Sequence, residues 1–220
     1  KLYASRKSLF IIFFILTCFF SPNAVLAEVP IKERNILANK AKEINLSQIL
    51  ITDNAWNKLP TYKDRQFWQN VSPNMRAEYI ANGEKLLKYD WPVVKATDYL
   101  EIIRSGDRRQ EVYAAPSNAL ISLVMAELFE GKGRFIDQII NGVWYYSEQT
   151  WWGWSAHFNF QKTPKGLPDV NDPTVDLGVG EVACNLAWTL YLFKDEFDKV
   201  HPLISKRLKQ EIMQKAVIPY

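Results

Sequence analysis

The sequence predicts an all-α chain, and three observations carry that expectation. Past about residue 45 it reads as one helical stretch after another, each opened by a cap residue or first-turn proline and closed by glycine or proline. Strand signals are nearly absent. A hydrophobic content of 48% over 220 residues supplies a core and excludes a disordered or collagen-like chain.

The N-terminal segment is the one stretch that does not belong to the fold. Lys1, Arg6 and Lys7 precede residues 9–20, an almost wholly apolar run too short to span a bilayer core of ~30 Å. Small residues in Ala24-Val25-Leu26-Ala27 then mark a cut before Glu28, so residues 1–27 read as a secretory signal peptide and residues 28–220 as the mature chain. Export to the periplasm or beyond follows. An uncleaved membrane anchor is the alternative, and lipidation of Cys18 is disfavoured because no Gly or Ala stands before it.

The helices follow in order. Ser47 caps residues 48–58. Ser72-Pro73 opens residues 73–87, with Met75, Tyr79, Ile80 and Leu86 on the apolar side. Thr97 or Asp98 starts a short helix carrying Tyr99 and Ile103 that Gly106 ends, and Pro116 begins the most apolar helix, stopped by Gly131. Residues 134–147 form the next, with Trp144 and Tyr145 counted on a wide apolar face. Asp172-Pro173 caps a long helix to about Phe193, and His201-Pro202 opens the last, through Val217. The mostly short connections predict antiparallel neighbours, and no fixed-period repeat suggests a solenoid.

Composition removes several functions. There are 27 Lys plus Arg against 24 Asp plus Glu; the signal peptide takes three of the basic residues and no acid, leaving 24 of each. The cationic residues form no stripe, so nucleic acid is not the expected partner. Two Cys and two His do not make a disulfide scaffold or an unaided zinc site, and no cofactor or metal is called for.

One connection, residues 149–172, lacks helical period and carries Trp151, Trp152, Trp154, His157, Phe158, Asn159 and Phe160. Indole faces stack on sugar C–H faces while His and Asn supply directed hydrogen bonds or a proton, so Trp151, Trp152, Trp154 and Asn159 are candidate carbohydrate contacts and His157 a candidate general acid or base. The competing reading has these indoles covering helix ends. Arg104, Arg108 and Arg109 surround Gly106, with Tyr113 following, and could present guanidinium groups to a carboxylate. Glu127, Asp169, Asp176 and Glu181 could instead supply the carboxylate pair of a glycoside hydrolase. Asp169, Asp172 and Asp176 read as caps rather than calcium ligands, and His201 as a capping residue.

The segments 104–108, 123–135, 154–159 and 167–177, including Trp154-Ser155-Ala156-His157-Phe158-Asn159 and Asp172-Pro173-Thr174-Val175-Asp176-Leu177, resemble the N-terminal helical domain of heparinase II/III-like proteins, secreted bacterial polysaccharide lyases and their relatives. The likeness spans residues 70–220. It implies a partial (α/α) toroid of antiparallel helical hairpins, continued by further helices and β-sandwich domains beyond Tyr220. It also implies an acidic polysaccharide or oligosaccharide as partner and β-elimination next to a masked uronate carboxylate. The family's main catalytic Asn/His and Tyr segments are expected downstream of Tyr220. Within this chain His157 and Asn159 carry over as cleft-lining residues, and Arg108 and Tyr113 as weaker ones. A non-catalytic glycan-binding helical module is the rival from another class.

Overall fold

The computed structural model describes residues 35–49, 59–106, 110–163 and 166–220; these contain nine α-helices and no strand. The signal-peptide segment 1–27 lies outside the described residues. The chain divides into two compact units, Lys1–Asn57 and Lys58–Tyr220. In the first, α1 spans Ile36–Glu43 and buries none of its residues, and α2 is the single turn Leu46–Ile49. Most of the helix expected over 48–58 lies outside the described residues.

The second unit holds the core. Its helices are α3 (Arg65–Gln69), α4 (Pro73–Glu84), α5 (Ala96–Ser105), α6 (Gln110–Glu130), α7 (Ile136–Glu148), α8 (Leu177–Val200) and α9 (Pro202–Ile212), the last running into one π turn, Met213–Val217. A 3-10 helix, Ser155–Phe160, interrupts the connection between α7 and α8. Helix α6 is central, packing on α4, α7 and α8, while α8 and α9 fold back on each other across His201. Leu123 of α6, Phe135 and Ile139 around the start of α7, Phe193 and Phe197 of α8, and Leu208 of α9 are fully buried in one cluster. Each such side chain contributes about 1.5–3 kcal/mol of burial, which is what holds the helices together.

Three helices differ from the sequence expectation. Pro116 does not start α6 but lies inside it, fully buried, six residues past Gln110. Proline removes one backbone donor there, and the apolar packing along the rest of α6 outweighs that loss. The long helix begins at Leu177, not at Pro173, because Asp176 is the residue whose carboxylate accepts from the Val179 N–H; it then continues to Val200 rather than stopping near Phe193. Helix α4 ends at Glu84, and its expected apolar stripe is only partly buried: Leu86, past the helix end, packs on the core, Met75 and Tyr79 are exposed, and the residue α4 itself buries is Gly83. A Cβ on Gly83 would stand 2.3 Å from the Ala126 Cβ, so α4 approaches α6 closely there, and the Tyr79 ring packs 5.4 Å from the Phe129 ring. Helices α5, α7 and α9 match their expected spans within a few residues. Gly106 ends α5 at φ 77°, as a helix-stopping glycine should. The capping role read for His201 holds, its Nδ1 accepting from the Leu203 N–H at 3.1 Å.

Candidate functional site: an aspartate-held histidine at the start of α8

The connection from α7 to α8 is built around the Asp176 carboxylate. As N-cap of α8, Asp176 accepts from the Val179 N–H through Oδ1 at 2.8 Å. Its Oδ2 accepts from the Trp154 N–H at 3.0 Å and lies 2.6 Å from His157 Nδ1. One buried carboxylate therefore closes the helix, pins the loop and orients the histidine. Two glycines let the loop come this close. A Cβ on Gly153 would meet Asp176 Oδ1 at 2.7 Å, and one on Gly178 would meet Trp154 Cδ1 at 2.6 Å.

The polarity of the pair follows from its partners. Asp176 already accepts two backbone N–H bonds, and its side chain is 1% exposed against 26% for His157. An ionised carboxylate only accepts, so Nδ1 carries the hydrogen, leaving Nε2 of the neutral ring with a lone pair. Two rings flank the imidazole, Trp154 at 5.5 Å and Phe160 at 5.1 Å between centroids, both tilted by about a third of a right angle (32° and 33°). Trp154 is 42% and Phe160 55% exposed. The result is an oriented imidazole in an open aromatic frame, able to move one proton.

The structure separates the other candidates. Asn159 is exposed on the same 3-10 helix. Trp151 and Trp152 are buried. Trp151 packs on Tyr99 and Phe158, tying the loop to α5. Trp152 belongs to the main core, its Nε1 donating to the Tyr146 carbonyl at 2.8 Å, with the Lys215 ammonium 4.9 Å from its ring. Burial pushes the Lys215 ammonium below the usual lysine range, against the ion pair with Glu211 at 2.9 Å. Both indoles belong to the packed interior and also edge a cavity of about 300 Å³ that Gln161, Asp169 and Arg207 line with them. Arg108 lies outside the described residues, and Tyr113 falls early in α6.

The carboxylates divide as well. Glu127 is fully buried and accepts from the Tyr62 hydroxyl at 2.8 Å, the Gly133 N–H at 2.7 Å and the Phe135 N–H at 3.0 Å. It is sealed from any substrate. Asp169 accepts from the Asn171 N–H within a turn, Asp172 accepts from the Lys162 N–H across the loop, and Glu181 is exposed on α8. Among the described residues no group of three His, Cys, Asp or Glu gathers in a way that could hold a metal ion, and no helix is long and apolar enough to cross a membrane.

Sequence reasoning missed two partners. Phe160 was not singled out as a wall of the site. Buried Gln161, whose Nε2 donates to the carbonyls of Asp169 at 2.9 Å and Asp172 at 2.8 Å, folds the rest of the loop. The Asp176–His157 pairing did have a signal, since an Asp directly before an apolar helical run is an N-cap signature; the cap's second oxygen is what reaches the histidine. No protein-family model matches this chain, and no characterised protein matches it significantly.

Proposed function

We propose that this chain is the N-terminal helical part of a secreted, heparinase II/III-like polysaccharide lyase that acts on uronic-acid-containing glycans by β-elimination. The observation that carries the reading is the His157–Asp176 pair at 2.6 Å, with the exposed Trp154 beside it. A base takes the proton next to the uronate carboxylate, the electron pair left behind forms a carbon–carbon double bond, and the 4-linked oxygen departs with a proton from an acid. An imidazole held by a carboxylate suits either proton transfer, and an exposed indole suits the sugar's C–H face. On this reading the helices are part of an (α/α) toroid. The apolar groove of about 450 Å³ lined by Phe67, Ile121, Met125 and Trp188 is a surface that a further helical layer would cover.

For the hydrolase alternative Glu127 is sealed and Asp176 spends both oxygens on the loop, the helix and the histidine, which leaves Asp169 and Glu181 as its carboxylates. The test is incubation with a panel of acidic polysaccharides, following the near-ultraviolet absorbance of the unsaturated product, together with calorimetric titration of oligouronates. Unsaturated product together with binding that weakens on His157→Ala and Trp154→Ala supports the reading, whereas the same loss of binding without turnover favours a non-catalytic glycan-binding module. Absence of binding to every uronate tested overturns it.

A further inference from the structure

Helix α7 carries two different faces. Ile136, Ile139, Val143 and Tyr146 point into the core, whereas Asn141, Trp144, Tyr145 and Glu148 share the opposite side at i, i+3, i+4 and i+7 spacing. That second face is polar at both ends and aromatic in the middle, and all four residues line a cleft of about 440 Å³ against the segment Trp91–Val94. Its size falls within the ~300–1,000 Å³ of small-molecule sites. His157 and Asp176 take no part in the lining.

The aromatic walls are fixed before any ligand arrives. Trp91 donates from Nε1 to Gln138 Oε1 at 2.9 Å, and Gln138 in turn donates to the Leu87 carbonyl at 2.9 Å. The Trp91 ring occupies space that exists because residue 142 is glycine: a Cβ there would meet Trp91 Cη2 at 2.6 Å. Trp91 and Tyr145 lie 5.6 Å apart at 34°, a tilted pair. Trp144 is held by the Arg207 guanidinium 5.0 Å from its ring, and Arg207 is itself bound to Glu148 at 2.8 Å. Rigid aromatic planes rimmed by an exposed amide, the Thr150 hydroxyl and a carboxylate match a pyranose, which has an apolar C–H face and an equatorial belt of hydroxyls. A wholly apolar ligand would leave Asn141 and Thr150 without function.

We propose that this cleft is a second sugar-ring site, engaging one residue of a glycan by stacking on Trp144 and the Trp91–Tyr145 pair and by hydrogen bonds to Asn141 and Thr150. The proposal rests on the glycan reading for its ligand class. It is tested by calorimetric titration of oligogalacturonate and oligomannuronate hexasaccharides, and of neutral cello-oligosaccharides, against the wild-type chain, Trp144→Leu, Asn141→Ala and His157→Ala. Asn141 is exposed, so Asn141→Ala keeps the fold if Trp144→Leu does not. Expected are about tenfold weaker binding for Trp144→Leu and about threefold for Asn141→Ala, with unchanged melting for Asn141→Ala. Wild-type affinity in both variants, with loss in His157→Ala, overturns the cleft and leaves the proposed function standing. Binding of neutral sugars alone, lost in Trp144→Leu, supports the cleft and overturns the uronate reading. No binding of any sugar overturns both.

Discussion

Two buried carboxylates in this molecule use the same device to different ends. Glu127, near the end of α6, gathers the N–H groups of Gly133 and Phe135 and so folds the turn into α7. Asp176, at the start of α8, gathers the N–H groups of Trp154 and Val179 and so folds the turn out of the aromatic loop. Each also holds one titratable side chain, Tyr62 for Glu127 and His157 for Asp176. Their surroundings differ. The Glu127 centre is closed, with the Arg65 guanidinium packed over the Tyr62 ring at 5.0 Å and donating to the Leu128 carbonyl at 2.7 Å. The Asp176 centre opens through its histidine. Both carboxylates fold a turn, and the Asp176 centre presents a titratable partner to solvent.

Breaking the closed centre has the largest expected effect. Glu127→Ala leaves the Tyr62 hydroxyl and two backbone N–H groups without an acceptor in the interior, a loss of about 3 kcal/mol or more. In thermal melts this is a Tm lower by about 6–12 °C, and a drop of under about 2 °C would show that the turn stands without Glu127. Asp176→Ala removes a helix cap and the loop's anchor together, for about 2 kcal/mol. Unlike Glu127→Ala it should also alter the imidazole nitrogen resonances of His157, since Nδ1 loses its acceptor.

Alkali should reach the phenols. Burial, aided by Asp98, pushes the Tyr99 phenol up to about 12, and burial together with the Glu127 hydrogen bond and charge pushes Tyr62 up as well. A phenol whose folded pKa is raised favours folding below its ordinary value of 10.0, and that contribution is lost as pH climbs from there through the folded value. For Tyr99 alone the loss is about 3 kcal/mol. Stability measured by denaturant titration should therefore fall between pH 10 and about 12, in step with tyrosinate absorbance. A flat profile there would contradict the burial of these phenols. The smallest stability effect belongs to His157→Ala, about 1 kcal/mol or less, because the ring is partly exposed and its removal leaves Asp176 with both backbone donors. A large destabilisation from His157→Ala, paired with unchanged glycan binding, would make the open centre as structural as the closed one.

Much of the helical order was legible because it rests on local rules. Gly106 at φ 77° and the His201 cap announce themselves through residue type alone. The aromatic loop stood out by the same token, as a stretch too rich in indole to be idle. What local rules could not rank was competition. Pro116 looked like a helix start until the apolar packing of α6 carried the helix past it, and Asp172 looked like the cap of α8 until Asp176 took that role. Trp151, Trp152 and Trp154 are equivalent in sequence, yet two are buried and one is 42% exposed.

The sequence by itself determined the all-helical character, most of the helix spans and the presence of an unusual aromatic connection with a histidine, because caps, glycines and apolar periodicity act within a few residues. Only the tertiary structure decided which carboxylate meets that histidine, which indoles face outward, that Glu127 is sealed, and that Trp91 and Tyr145 share a cleft. Those outcomes depend on distances between residues 19 to 65 positions apart, such as His157 to Asp176 and Tyr62 to Glu127, and no local pattern encodes a distance of that kind.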